Sequence, residues 1–437
     1  MSIREERRRR IEQKRLSDPT SVDIGFDDVE DEQNIYAQTV DEGHKVDERV
    51  QKIFIMCVVL LVVFVVGLIC PKTLFDWNVV TMNLGDGSTL FPTAAEVVQK
   101  FQDNLANLLA TFSGKATGSE NTIVRYCIIA MAGAGLALSG AVYQGSFRNA
   151  LVSPSTLGVM TGGQLGLTVW VIIACTNAGS NAVTLQLVSS AGDGTYSIAD
   201  YISTSLGLSI CSFIGCFFVV ALVLLVMVIS GKGAESGIML IITGQIIGAV
   251  VSQFNQMVRY YYSTVDPTGD AATLLQELQV SSFYRTYTWI DLLCIGIPLL
   301  ITAIVVIRLR NKMMALSFEK SEQRTMGVDT KVINAAVVGL CTLLTAIIIS
   351  FCGTVSYVGF LIPHLARRMV GPNFKYLLPA SMALGAVFVL TAYVVMEIFV
   401  GVDYASLTGI FISIAGAIVF VFTAIGGRGT ANGSFLK

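Results

Sequence analysis

Long apolar runs separated by short polar stretches set the pattern of this chain. The runs occupy roughly residues 53–69, 123–143, 157–175, 206–230, 236–255, 288–307, 332–351, 355–369, 377–399 and 405–425. Most approach the ~20 residues that an α-helix needs to cross ~30 Å of hydrocarbon. They predict about ten transmembrane helices and an all-α, polytopic membrane fold. Residues 1–50 form a polar tail, with a basic segment at Arg4–Arg15 and an acidic one at Asp27–Glu32. Its composition suits a solvated cytoplasmic tail, or an anchor on anionic lipid. Residues 51–430 form the membrane domain. The run that follows so long a tail reads as an uncleaved signal anchor.

Two polar stretches between the runs are patterned. In residues 71–121, Thr93 and Glu96 have capping-box spacing, and Val97, Phe101, Leu105, Leu108 and Phe112 recur at helical intervals. This predicts an amphipathic helix on the outer face, as a lid on the bundle or a contact for an external partner. The segment Arg308–Lys331, which contains the loop 309–331, carries Arg308, Arg310, Lys312, Lys320, Arg324 and Lys331 against Glu319, Glu322 and Asp329. Ser317 is placed to cap a short helix and Gly327 to end it, with Asp329 capping the next span. The stretch is too small for a catalytic domain and reads as a docking surface.

Charge fixes an orientation. Lys45, Arg49 and Lys52 precede the first run, and Arg148, Lys232, Arg367, Arg368, Lys375 and Arg428 fall on the same side by alternation. Residues 176–205 and 400–405 contain no Lys or Arg. The positive-inside bias then places both termini and the loop 309–331 in the cytoplasm.

Composition agrees: of 437 residues, 53% are hydrophobic and 14% charged, with mean hydropathy +0.67. Nine cysteines form no CxxC pair and read as small hydrophobes, and His44 and His364 are the only histidines. A metal or haem site is therefore poorly supplied, and no cofactor is expected on this chain. There is no GxxxxGK[ST] loop and no Ser/His/Asp or paired-carboxylate set. The chain is expected not to be an enzyme; energy for any driven process must enter through another subunit.

Within the spans, Gly133, Ala137 and Ala141, Gly158 and Gly162, and Gly244 and Gly248 form small-residue rows that let helices approach closely. Gln245, Ser252 and Gln256 lie at i, i+7 and i+11, on one helix face; they bond neighbouring helices or line a polar route. The aromatics Tyr260, Tyr261, Tyr262, Tyr284 and Tyr287 read as interface anchors or as a ligand or partner surface. Pro363 breaks a backbone ladder, and His364 either satisfies a freed carbonyl or takes part in gating.

These residues carry a resemblance. Arg125–Gly163, through Arg125, Gly133, Gly140, Gln144, Arg148, Asn149, Pro154, Leu157 and Gly158, resembles the signature of the permease subunits of ABC importers for iron chelates and cobalamin, the FecCD type. Tyr357–Gly371 is similar to that family's second motif through Val358, Gly359, Pro363, His364, Arg367 and Gly371, and Leu378, Pro379 and Gly385 follow in register. Arg324–Gly327 sits where the family contacts its ATPase. The sequence departs from the pattern at Ala150 (usually Pro), at Ser153 (usually Asp), and at Tyr393 and Glu397, where the family commonly has Asp and Arg. Further departures are Ala405–Leu407, Gly416–Phe420 and Gln279–Tyr284.

The resemblance implies a permease subunit in a bacterial plasma membrane that carries a ferric siderophore or related iron chelate. Cobalamin or haem is the alternative cargo, and a non-transporting receptor or scaffold the alternative function; an ion-coupled transporter would rely on Glu397. The implied partners are a second permease subunit, identical or not, an extracellular substrate-binding lipoprotein, and cytoplasmic ATPases that hold the ATP. The ATPases would dock on Ser317, Glu319, Arg324, Met326, Gly327 and Val328. Gln144, Arg148, Asn149, Pro154, Gln245, Ser252, Gln256, Pro363 and His364 are the expected pathway and gating residues, and Arg125 and Arg259 the expected receptor contacts.

Overall fold

The computed structural model describes residues 48–68, 98–99, 102, 122–178, 198–230, 237–265, 283, 287–315, 330–399 and 407–426. The helix bundle lies in the compact unit that begins at Lys52. Among the described residues ten helices follow in order: α1 (Glu48–Leu68), α2 (Thr122–Ser146), α3 (Val159–Ala178), α4 (Ile198–Ile229), α5 (Gly237–Val265), α6 (Trp289–Ala315), α7 (Thr330–Cys352), α8 (Val358–Val370), α9 (Phe374–Phe399) and α10 (Thr408–Gly426). The described residues include no strand. Each helix falls on one of the ten apolar runs, and six are long and apolar enough to cross a membrane. The expected amphipathic helix of 71–121 and the loop 316–329 lie outside the described residues, apart from Val98, Gln99 and Gln102, which are helical.

The bundle is organised around α2, which packs against α6, α7, α8 and α9. Small residues make that central place possible, because hydrocarbon gives no hydrophobic drive between helices and association rests on close backbone approach. A Cβ on Gly133 would lie 2.3 Å from the Gly385 carbonyl oxygen of α9, so these two helices touch backbone to backbone. On the same stripe one on Gly140 would lie 1.7 Å from the Gly359 carbonyl oxygen of α8. A second group, α3, α4 and α5, packs by the same device. A Cβ on Gly162 would meet the Gly215 carbonyl at 2.5 Å, and one on Gly244 the Thr156 carbonyl at 2.4 Å. The small-residue rows are thus crossing points. α7 joins the two groups, touching α2 and α6 on one side and α3 and α4 on the other.

The bundle has two distinguishable ends. At one, the Lys52 ammonium donates to the Met369 carbonyl at 3.3 Å, and Gly145 abuts the Phe374 ring. Arg148, Arg308, Arg310, Lys312, Arg367, Arg368 and Lys375 also lie at this basic end. At the other, the Tyr126 ring meets Phe64 of α1 and Tyr393 of α9, at centroid distances of 5.9 and 6.0 Å. Of the cysteines whose side chains are described, Cys216, Cys341 and Cys352 are buried; Cys216 donates to the Val159 carbonyl at 3.2 Å, as a small core residue does.

Candidate functional site

The turn 147–158, which carries the first motif, closes α2 and opens α3. The Asn149 N–H donates to the Gln144 carbonyl at 3.1 Å and the Arg148 N–H to the Gly145 carbonyl at 3.3 Å. This is the Schellman pattern, with Arg148 in the left-handed conformation, φ 50°, where glycine is usual. Arg148 is exposed. Asn149 Oδ1 accepts the Leu151 N–H at 2.9 Å and so turns the chain. Ser153, at the family's Asp position, does the capping work itself. Its Oγ accepts the Thr156 N–H at 3.2 Å, and Thr156 Oγ1 accepts the Ser153 N–H at 2.8 Å. Pro154 is buried, and its Cδ lies 3.3 Å from the place a Cβ on Gly359 would take.

The second motif forms a half-helix. α7 ends at Cys352, whose carbonyl accepts the Phe283 N–H at 3.0 Å, and the Phe283 ring lies 6.0 Å from Tyr393 at the far end of the bundle. Gly359, seven residues later, touches Gly140. Residues 353–357 belong to no helix and carry the chain from the Cys352 end of α7 to Gly359. Gly353 and Tyr357 make the corners with φ of 71° and 64°. The expected span 355–369 is therefore a short non-helical entry followed by the 13-residue α8, which begins part-way along α2, at Gly140, and ends at the basic end of the bundle.

Gln144 fastens α8 at two points. Its Nε2 donates to the Phe360 carbonyl at 3.0 Å, and its Oε1 accepts from Arg367 Nη2 at 3.1 Å. One buried amide thus holds the first turn and the last turn of the half-helix against α2. Pro363 is buried inside α8, past its first turn, where it has no N–H to give to the Gly359 carbonyl four residues back, and His364 is half-buried.

α5 is divided lengthwise at about 100° per residue. One stripe, Leu240, Gly244, Gly248, Val251 and Asn255, is buried against α3 and α4. A second, Ile246, Val250, Phe254, Met257 and Tyr261, is exposed and apolar. Between them lies a third face with Gln245, Gln253 and Gln256 exposed and Ser252 half-buried. The two expected glutamines are on it, and Gln253 joins them. Three amides on a membrane-depth face are costly in hydrocarbon and suit water or a polar partner.

At the far end, three helices meet in a buried polar cluster. The Tyr126 hydroxyl donates to the Gly67 carbonyl of α1 at 3.0 Å and lies against Glu397 Oε2 of α9. Arg125 Nη1 donates to the Tyr393 hydroxyl at 3.3 Å. Arg125 is 5% exposed, so it sits inside the bundle and not on the outer surface where a receptor contact belongs. The two departures from the family pattern, Tyr393 and Glu397, are thereby the partners of Arg125 and Tyr126. Glu397 is engaged in this joint between α1, α2 and α9, away from the amide face of α5.

The six residues expected to dock an ATPase, Ser317, Glu319, Arg324, Met326, Gly327 and Val328, lie outside the described residues. The helices leading in and out, α6 and α7, have their Ala315 and Thr330 ends at the basic end. Among the described residues no three His, Cys, Asp or Glu side chains converge as metal ligands would.

A model of the FecCD transport family matches residues 90–425. The molybdate import system permease protein MolB of Haemophilus influenzae is 29% identical over 258 residues, 59% of this chain and 66% of that protein. A probable iron chelatin transport system permease of Helicobacter pylori is 25% identical over 71% of this chain and 82% of its own. The Fe(3+)-citrate import system permease YfmE of Bacillus subtilis is 27% identical over 61% and 70%. Among solved structures, a metal-chelate type ABC transporter in an inward-facing conformation superposes with a TM-score of 0.60 at 24% identity, covering 86% of this chain and 99% of that one.

Proposed function

The chain belongs to the FecCD transport family and is an ABC importer permease, and from that premise we propose that it carries a ferric siderophore or a related iron chelate across a bacterial plasma membrane. The basic end of the bundle faces the cytoplasm, following the positive-inside bias, and both termini lie on that side. Separate ATPase subunits dock on the loop between α6 and α7, and a second permease subunit completes the pathway. An extracellular binding lipoprotein delivers the cargo at the far end.

The observation that carries this reading is the amide face of α5. A helix that exposes Gln245, Gln253 and Gln256 beside an apolar stripe suits a water-filled path shared with a partner helix. Several iron-chelate permeases among the relatives support the cargo assignment. The molybdate relative supplies the competing cargo. Uptake of radiolabelled ferric citrate, ferric hydroxamate and molybdate in cells lacking and re-expressing this chain decides between them. Chain-dependent accumulation of iron is expected, whereas chain-dependent accumulation of molybdate alone overturns the iron assignment.

A further inference from the structure

The amide face of α5 ends, away from the basic end, in two polar side chains whose buried atoms are unmet. Asn255 is 1% exposed, and neither its Oδ1 nor its Nδ2 has a hydrogen-bond partner. Arg259, one turn on and partly buried, has its Nε in the same condition. Residues four apart on a helix are neighbours on one face, so the two groups adjoin. Both sit at the seam between the buried stripe and the amide face, next to Gln256 and Ser252.

Gln144 on α2, by contrast, bonds both ends of its buried amide; Asn334 Oδ1 on α7 is also unmet, but Asn255 is left unmet at both ends. A buried polar group left unbonded is destabilising, and a cation at membrane depth more so. Arg259 is also the only charged side chain in Gly237–Val265, with no Asp or Glu on that helix to neutralise it. An amide N–H2 beside a guanidinium N–H offers adjacent donors and net positive charge, the complement of an anionic oxygen.

We propose that Asn255 and Arg259 form a receiving site for an anionic oxygen of the cargo, such as a carboxylate, hydroxamate, catecholate or oxyanion group, at the entrance to the amide face. The site rests on the reading of that face as the pathway. It makes Arg259 a contact for the cargo and not for the binding protein. Beyond it the face carries only neutral amides and a hydroxyl, so an anion is gripped at entry and not along the path.

The test uses the full chain in membranes with Gln256→Cys as a reporter and the chain without that substitution as background. Its rates of modification by the anionic ethylsulfonate and the cationic trimethylammonium methanethiosulfonates are compared. The anionic reagent should be favoured, and Arg259→Gln should remove that preference by about tenfold, as loss of one nearby charge at intermediate dielectric predicts. Asn255→Ala should give a smaller loss, and Arg259→Lys should retain most of the preference. A ratio that ignores Arg259→Gln, or an unreactive Gln256→Cys, overturns the proposal. In cells, the ratio of ferric citrate uptake to that of a charge-neutral ferric trihydroxamate should fall in Arg259→Gln; an equal loss of both assigns Arg259 to the receptor or to folding. If the unaltered chain takes up neither chelate but the reagent preference holds, the iron assignment fails and this site stands.

Discussion

Gly140→Ala is the most decisive single-methyl change this bundle offers. The new Cβ would stand 1.7 Å from the Gly359 carbonyl oxygen, a backbone atom that no rotamer change can move aside. To restore even a tight contact, α8 must retreat from α2 by more than about 1 Å. The Gln144 hydrogen bonds to Phe360 and Arg367, at 3.0 and 3.1 Å, span the same seam and lengthen with it. Overpacking contributes about 1–3 kcal/mol, and each bond lost from a buried group a further ~1 kcal/mol. A destabilisation of about 2–5 kcal/mol results. Gly339→Ala on α7 is the matched control, since no atom lies within 4 Å of its added Cβ. That change should be neutral or stabilising by up to ~1 kcal/mol, the helix propensity gain of Ala over Gly. Apparent melting temperature of the detergent-solubilised chain, followed by monodispersity, measures both. If Gly140→Ala melts with the control, the α2–α8 contact is not as close as described and the clamp by Gln144 is not under geometric constraint.

Other consequences are equally measurable. Tyr126→Phe removes the donor to the Gly67 carbonyl and the hydroxyl against Glu397, and should lower stability by about 1–3 kcal/mol; Glu397→Gln, which keeps shape and an acceptor, should lower it less, and thermal melts that reverse this order contradict the cluster. Arg148→Gly should hold or raise the melting temperature, because glycine removes a left-handed backbone strain of roughly 1–2 kcal/mol. A marked loss of stability would show that the Arg148 side chain, and not the backbone cap, holds the turn. Replacing Arg324 or Gly327 should leave the partner's ATP hydrolysis running while uptake falls, and normal uptake by both variants would remove the docking assignment from that loop.

The ten helices are legible in the sequence because burial in lipid demands long apolar runs, and each run became a helix. The crossing points are legible for a related reason: rows such as Gly133, Ala137 and Ala141 have little use other than close packing. What the pattern hides is partnership over long sequence separation. Arg125, at the edge of a span, reads as a surface contact, yet its hydroxyl partner Tyr393 is 268 positions away and draws it inside. A break between residues 351 and 355 is legible, but the sequence starts the next span too early, at Val355; the left-handed corners at Gly353 and Tyr357 delay the helix to Val358. Gln253 and Asn255 escape notice because i, i+7, i+11 spacing picks out one line along a helix, whereas the polar face and its seam are wider. The departures Tyr393 and Glu397 acquire meaning only when α1, α2 and α9 are seen to meet.

In the proposed function, a separate ATPase drives this bundle from its basic end. The most direct measurement of this is ATP-dependent accumulation of ferric chelate in proteoliposomes holding this chain with its partner permease, and with the cognate ATPase either intact or carrying a substitution that abolishes hydrolysis. Accumulation with the intact ATPase and none with the inactive one is the predicted result. Equal accumulation in the two preparations, or accumulation without any ATPase, would contradict it.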